Sequence, residues 1–416
     1  MKLITTTALG LGLVLAAPAS AQMGASMTPT PPQGTEPAQQ KAPVKITPSK
    51  PATKAISELN DAVNKNDFAS VPAKVAAAQA VATTKEDRYL IGQLQVKAAL
   101  ASKDNAALAS AIDTIASSGY LDAAKSAELY ASLGSTFYNA KQFPQAQAAF
   151  QKAASADPRN AEVPALLGEA LFAQGQKAEA AAAFQRAIQA RVAAGQKPDE
   201  ALVKRAVAVA YDAQSPAAVE LARQWVAAYP SGSSWSDALA IYSNLSHPDV
   251  ESALELYRLR QVTGALTSGR EYAQFARTAA ELNNFNEAQA VLDAGIAAKA
   301  INPGDAQYGD LVNGLKAKPK ATAADLATAT KTAQSGMALL RIGDRYYAMG
   351  DYAKAVDLYK MAMGKPGVDA AVANLHIGMA LARAGDKAGA TTAFNAVTGP
   401  RAEIAKFWLT YLNQKG

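Results

Sequence analysis

The chain has 416 residues, half of them hydrophobic, with a formal charge of +6, no cysteine and only two histidines, His247 and His376. That length supplies either several domains or one elongated array with a large buried core. The composition excludes disulfides, thiolate metal sites, a cysteine nucleophile and a histidine-rich metal centre.

The first 21 residues read as a secretory signal. Lys2 is the charged start, residues 3–15 are an apolar run, and Ala19-Ser20-Ala21 is a small-x-small cleavage pattern, which makes Gln22 the expected new N-terminus. The apolar run is short for a bilayer span, and Pro18 follows it. No cysteine follows it for lipoprotein-type acylation. The expected location is the exported compartment of a Gram-negative bacterium, its periplasm, with no membrane span after cleavage.

Residues 22–53 are rich in proline, glutamine, threonine and lysine and show no apolar periodicity. They predict a disordered leader, because proline denies a helix and little apolar surface is available to bury. At about 3.1 Å per residue its reach approaches roughly 95 Å if polyproline-like. The positive charge does not point to nucleic acid. Outside Lys2, the four lysines Lys41, Lys45, Lys50 and Lys54 and the leader's Glu36, 36 basic residues stand against 34 acidic ones. Lys316, Lys318 and Lys320 form a small patch that reads as a solvated helix end beside Pro319.

From Lys54 onward apolar residues recur at three- and four-residue spacing, broken by polar and glycine-containing turns, and no alternating strand pattern appears. Residues 54–126 predict two degenerate helical hairpins, 127–400 a repeat array and 401–416 a capping helix. Within the array Leu133-Gly134, Phe137, Ala146, Phe150 and Ala153 match Leu167-Gly168, Leu171, Ala180, Phe184 and Ala187, each pair 34 residues apart. The same frame recurs as Ile342-Gly343, Tyr346, Ala355 and Tyr359, and 35 residues later as Ile377-Gly378, Leu381, Ala390 and Phe394. Weaker copies start near Asp199, Ser234 and Gly269, and a poor one starts near Gly304. Asp157-Pro158-Arg159-Asn160 is the expected stop of one unit, with Asn160 capping the next.

On these residues the chain resembles the tetratricopeptide repeat family, whose unit is a helix–turn–helix with small residues at its eighth and twentieth positions. The resemblance implies an all-α, right-handed superhelical α-solenoid. A glycine inside a helix costs about 1 kcal/mol relative to alanine, so its recurrence predicts a close crossing filled by bulk at Phe137 and Phe150. A single repeat cannot bury its own apolar face, and stacking makes one continuous core.

No serine-nucleophile elbow, zinc-protease motif or phosphate loop is present. The expectation is therefore no catalysis, no cofactor and no metal site, with His247 and His376 structural. The resemblance implies that the first helix of each unit lines a concave face. By position this face holds Glu128, Ser135 and Tyr138; Glu162, Glu169 and Phe172; and Met337, Asp344, Tyr347, Met379 and Arg383. Tyr138, Glu169, Phe172, Asp344 and Tyr347 are the candidate partner-binding residues, because aromatics beside carboxylates grip an extended peptide or a partner helix; the alternative for Tyr138, Phe172 and Tyr347 is that they complete the packing between repeats. The Lys and Asn with which some family members bind a terminal carboxylate are replaced here by Ala131 and Ser135, Ala165 and Glu169, Leu340 and Asp344, and Leu375 and Met379. The function expected is an exported scaffold binding a protein or peptide partner in the cell envelope. The alternative is a structural subunit of an envelope assembly, in polysaccharide export or outer-membrane biogenesis.

Overall fold

The computed structural model describes residues 46–415; the signal segment and the leader up to residue 45 lie outside the described residues. Among the described residues the elements are all helical, and the chain divides into two compact units at 196/197, inside the stretch expected to be one array.

Unit 1 is built of four helix pairs: α1 Thr53–Asn64 with α2 Val71–Val81, α3 Lys85–Ser102 with α4 Asn105–Ser117, α5 Ala123–Asn139 with α6 Phe143–Ala156, and α7 Val163–Ala173 with α8 Lys177–Ala193. The boundaries follow local chemistry. Asp104 and Asp122 accept hydrogen bonds from the first free N–H groups of α4 and α5. The Asn160 side chain accepts from the amides of Glu162 and Val163 in the turn ahead of α7, whose N-cap residue is Glu162 rather than the expected Asn160.

Residues 46–53 belong to the folded part rather than to the leader. Asp87, fully buried near the start of α3, accepts from the Ser49 amide at 2.7 Å, the Ser49 hydroxyl at 2.7 Å, and the amides of Thr83 and Thr84. Burial alone would raise its pKa; these four donors overcome that and hold it at about 2.

Unit 2 carries α9 Glu200–Asp212, α10 Ala217–Ala228, α11 Gly232–Ser246, α12 Val250–Val262, α13 Gly269–Glu281, α14 Phe285–Ala297, α15 Ala306–Lys316, α16 Ala323–Thr332, α17 Gly336–Ala348, α18 Tyr352–Met363, α19 Ala370–Ala384, α20 Lys387–Asn395 and α21 Ala402–Gln414. The weak sequence copies at Asp199, Ser234 and Gly269 fold as the pairs α9–α10, α11–α12 and α13–α14. The poor copy near Gly304 is a distorted one: α15 lies on α13 and α14, α16 lies on α17, and α14 reaches α17 past both. Asn286 holds this detour in place by exchanging hydrogen bonds with the Ala321 backbone.

The helix expected to cap the C-terminus does more than cap. In α21, Trp408 stacks on Phe394 of α20 with ring centroids 5.7 Å apart. Its other face returns to the beginning of unit 2. Phe407 lies 6.2 Å from Trp235 and 5.9 Å from Tyr242, and Gln414 bonds both the Trp235 indole and the Val226 carbonyl. Unit 2 therefore closes on itself, α21 bridging α10 and α12 to α19 and α20.

The recurring glycines are explained by side chains. A Cβ placed on Gly134, Gly168, Gly343 or Gly378 would fall 2.5–3.0 Å from a ring atom of Phe150, Phe184, Tyr359 or Phe394. In each unit the ring comes sixteen residues after the glycine, from the second helix, and fills the space where the glycine's side chain would be. Ala146 and Ala180 are fully buried at the same crossings. The missing side chain is occupied volume, which offsets the helix-propensity cost of glycine.

Candidate functional site

In unit 1, α5 and α7 are neighbours in the stack and carry three of the five candidate residues. Tyr138 is partly buried and meets Phe143 edge-on at 5.4 Å. Glu169 and Phe172, on α7, are also partly buried. Glu128, further along the same face, is exposed and pairs with Lys125 at 2.8 Å. The Ser135 hydroxyl is spent within its own helix on the Ala131 carbonyl.

The other two candidates, Asp344 and Tyr347 on α17, are directed into the protein. They belong to a buried ionic cluster gathered from α12, α14, α17, α18, α19 and the turn before α21. Arg258, 1% exposed, forms a two-pronged pair with Glu287, each contact 2.8 Å, and reaches Asp344 at 3.1 Å. Its guanidinium lies 4.7 Å from the centre of the Tyr347 ring. Tyr359 donates its hydroxyl to Asp344 at 2.9 Å, and Asn284 donates to Glu287 at 2.7 Å. His376 sits between two carboxylates: Nε2 is 3.2 Å from Glu255, and Nδ1 is 3.2 Å from Asp344 as a charge contact without hydrogen-bond alignment. Arg401 closes the cluster on Glu255 at 3.0 Å and extends to Glu251 at 3.5 Å.

The charges balance. Arg258, Arg401 and protonated His376 face Glu255, Glu287 and Asp344, three against three. Burial would by itself deprotonate His376; Asp344 and then Glu255 outweigh that and push its pKa up to about 9. Burial would likewise raise Asp344, but the His376 and Arg258 cations hold it well below the usual carboxylate range. Burial would lower Arg258; Glu287 and Asp344 hold it above its ordinary value. Tyr347 is pushed up by burial. Asp344 and Tyr347 thus have their polar groups and faces committed internally, so the expectation of an open groove in this half is not met at these two positions. His376 is spent inside this cluster, between Glu255 and Asp344.

Sequence reading missed Arg258, Glu287, Glu255 and Arg401. Their signal is faint but present. In "LELYRLR", residues 254–260, charged and apolar side chains are interleaved so that no purely polar face remains, as suits a helix covered on several sides.

Among the described residues no group of three acidic or histidine side chains is placed to hold a metal, and no helix is long and apolar enough to cross a membrane. No curated protein matches the chain. Among solved structures it is similar to YrrB, a tetratricopeptide repeat protein with an unusual peptide-binding site, at 15% identity over 46% of this chain and 92% of that one, with a TM-score of 0.27. It is also similar to pilF of Pseudomonas aeruginosa, at 17% identity over 55% and 97% with a TM-score of 0.25, and to a tetratricopeptide repeat protein of Parabacteroides merdae, at 11% over 87% and 100% with a TM-score of 0.21. The tetratricopeptide repeat family profile matches residues 132–200 and 340–403. Those are the stretches in which Gly134, Gly168, Gly343 and Gly378 receive their rings, and the pairs α5–α8 and α17–α20 are tetratricopeptide repeats.

Proposed function

We propose that this chain is an exported, non-catalytic scaffold that binds a protein or peptide partner in the cell envelope, in the periplasm of a Gram-negative bacterium. The repeat fold is one whose general role is protein or peptide binding, and that observation carries the reading. Lys2, the apolar run and Ala19-Ser20-Ala21 support export. The binding face in unit 1 is the stacked pair α5 and α7, where Tyr138 and Phe172 hold equivalent positions 34 residues apart, with Glu169 on α7 three residues before Phe172.

The test is a photoreactive amino acid placed at position 138 or 172 in the native host, followed by mass spectrometry. One protein captured from both positions, and not from exposed Ala148 on α6, is the expected result. Capture that is the same at all three positions overturns the assignment of the face. Export is read from the intact mass of the secreted protein, which should begin at or near Gln22; full-length chain recovered only from the cytoplasm defeats it. Solution mass separates the scaffold from a structural subunit of an envelope assembly: a monomer supports the former and a stable oligomer the latter.

A further inference from the structure

Along α17 runs a stripe that the buried cluster leaves unused. Met337, Arg341 and Arg345 on α17, and Met349 at its C-cap, follow one another at four-residue intervals, each turned about 40° from the last, and span about 18 Å. Met337 and Met349 are 41% and 43% exposed, unusual for large apolar side chains in this protein. Arg341 is exposed and Arg345 partly so, and among the described residues the structure gives neither an ion pair. The first three positions border a cleft of unit 2 whose apolar wall includes Leu254, Leu282 and Leu340.

The carboxylates around that cleft are already held by cations. Glu251 lies 3.5 Å from Arg401, and Asp344 is bonded to Arg258 and flanked by His376. The charge left to an incoming ligand is therefore that of Arg341 and Arg345. The geometry fixes the spacing too. Four residues of helix advance about 6 Å, and two residues of an extended peptide advance about 6.7 Å. An extended segment laid along α17 thus presents every second side chain to successive positions of the stripe.

We propose that the α17 stripe and its cleft bind an extended acidic peptide segment, in which two carboxylates two residues apart face Arg341 and Arg345 and apolar side chains at either end meet Met337 and Met349. Carboxylate–guanidinium pairing supplies the specificity, and the pliable thioethers supply an adaptable apolar contact. The proposal rests on the reading of the chain as a binder of polypeptides.

The probe is a fluorescein-labelled peptide of the pattern leucine-x-glutamate-x-glutamate-x-leucine, titrated with the mature chain by anisotropy. The expected result is binding that weakens tenfold or more when both glutamates become glutamine, and at least as much in the R341E/R345E variant. That variant should bind the version carrying lysine in place of glutamate better than the unmodified protein does. Arg341→Gln with Arg345→Gln serves the same purpose should the charge reversal lower the melting temperature. Acidic and glutamine peptides that bind equally, or that both fail to bind, overturn the proposal. So does concentration-dependent dimerisation that the R341E/R345E variant abolishes, which would assign the cleft to a second copy of the chain. Failure here with capture at positions 138 and 172 intact sinks this inference alone; loss of that capture sinks the unit 1 reading.

Discussion

The glycine–ring contacts make a prediction whose sign opposes ordinary helix propensity. Replacing a glycine by alanine in a helix interior gains about 1 kcal/mol when nothing stands in the way. At Gly378 the new Cβ would lie 2.5 Å from Cε1 and 2.6 Å from Cδ1 of Phe394. Carbon atoms settle at about 3.5–4.0 Å, so the ring must retreat by roughly 1 Å. It has nowhere to go. Phe394 is 1% exposed, and behind it Trp408, fully buried, stacks on its face. Overpacking of this kind costs about 1–3 kcal/mol, and the backing by Trp408 places it toward the upper end. Gly378→Ala should therefore destabilise by up to about 2 kcal/mol net. At Gly309 in α15 a Cβ would meet no atom within 4 Å, so Gly309→Ala should stabilise by about 0.5–1 kcal/mol. Guanidinium unfolding followed by tryptophan fluorescence reads both, since Trp225, Trp235 and Trp408 all lie in unit 2. Shrinking the ring should relieve the clash, so Gly378→Ala with Phe394→Leu should cost less than the two single changes added together. Equal stabilisation by Gly378→Ala and Gly309→Ala would refute the argument that the ring, and not chance, keeps the glycine.

Other consequences follow from the same packing and charge. In unit 1, Phe150→Ala should cost about 3–5 kcal/mol through a cavity and Ala146→Leu about 1–3 kcal/mol through overpacking, while exposed Ala148→Lys stays within about 0.5 kcal/mol; circular-dichroism melts that rank Ala146 and Ala148 alike would remove the frame. Arg258→Met leaves Glu287 buried without its cation and Asp344 with His376 alone, and should cost about 3–5 kcal/mol in denaturant unfolding of unit 2. His376 has a raised folded-state pKa, so its contribution is fully present below its unfolded value near 6.5 and is lost as pH rises through about 9. Stability of the native chain should fall across that window, and His376→Gln should be less stable at pH 6 and flatter from pH 6.5 to 9; a parallel pH curve for the variant would show that the histidine is neutral in the fold. Asp87, held at about 2, contributes in the opposite sense: its stabilisation is present above about 4 and fades as pH falls toward 2, a loss that Asp87→Asn should remove.

The repeat frame was legible because its signal is local and periodic. Small residues at Gly134 and Ala146, a bulky apolar residue at Phe137 and a ring at Phe150 recur in a frame of 34 or 35 residues, and each glycine–ring contact is inside one pair of helices. The closure of unit 2 was not legible, because its contacts join positions far apart. Glu255 meets His376 across 121 residues and Arg401 across 146, and Gln414 meets Val226 across 188. No periodicity records such a meeting. Asp344 and Tyr347 were expected on an open face for the same reason. Their place in the repeat faces inward, but whether that interior is solvent or protein depends on what α12 brings to it. The distorted pair α15–α16 was visible only as a weak match, and its cause, the Asn286–Ala321 exchange across 35 residues, again lies outside one repeat.

The closure also bears on where recognition is possible in unit 2. Bringing three cations and three anions out of water is costly, and attraction repays the cost only when each charge finds its partners. A partial meeting of α12 with α17 and α19 would leave Arg258 or Glu255 buried and unmatched, so the cluster favours one register over near misses. The residues that achieve this, Asp344, Tyr347 and His376, occupy the turns of α17 and α19 that face α12, and a ligand reaching them would have to break ion pairs worth several kcal/mol. What such a ligand can use without that penalty is the adjacent side of α17. There Arg341 and Arg345 are one residue removed from Leu340 and Asp344, and they carry charge that the cluster does not need. The same helix thus supplies closure with one side and a cationic surface with the next, and a substitution can separate the two. Arg341→Ala should leave unfolding of unit 2 within about 0.5 kcal/mol of the native chain, whereas Asp344→Ala, which strips Arg258 and His376 of a shared anion, should cost about 3–5 kcal/mol. Equal losses in guanidinium unfolding would show that the two sides of α17 are one packing surface and that no charge on it is spare.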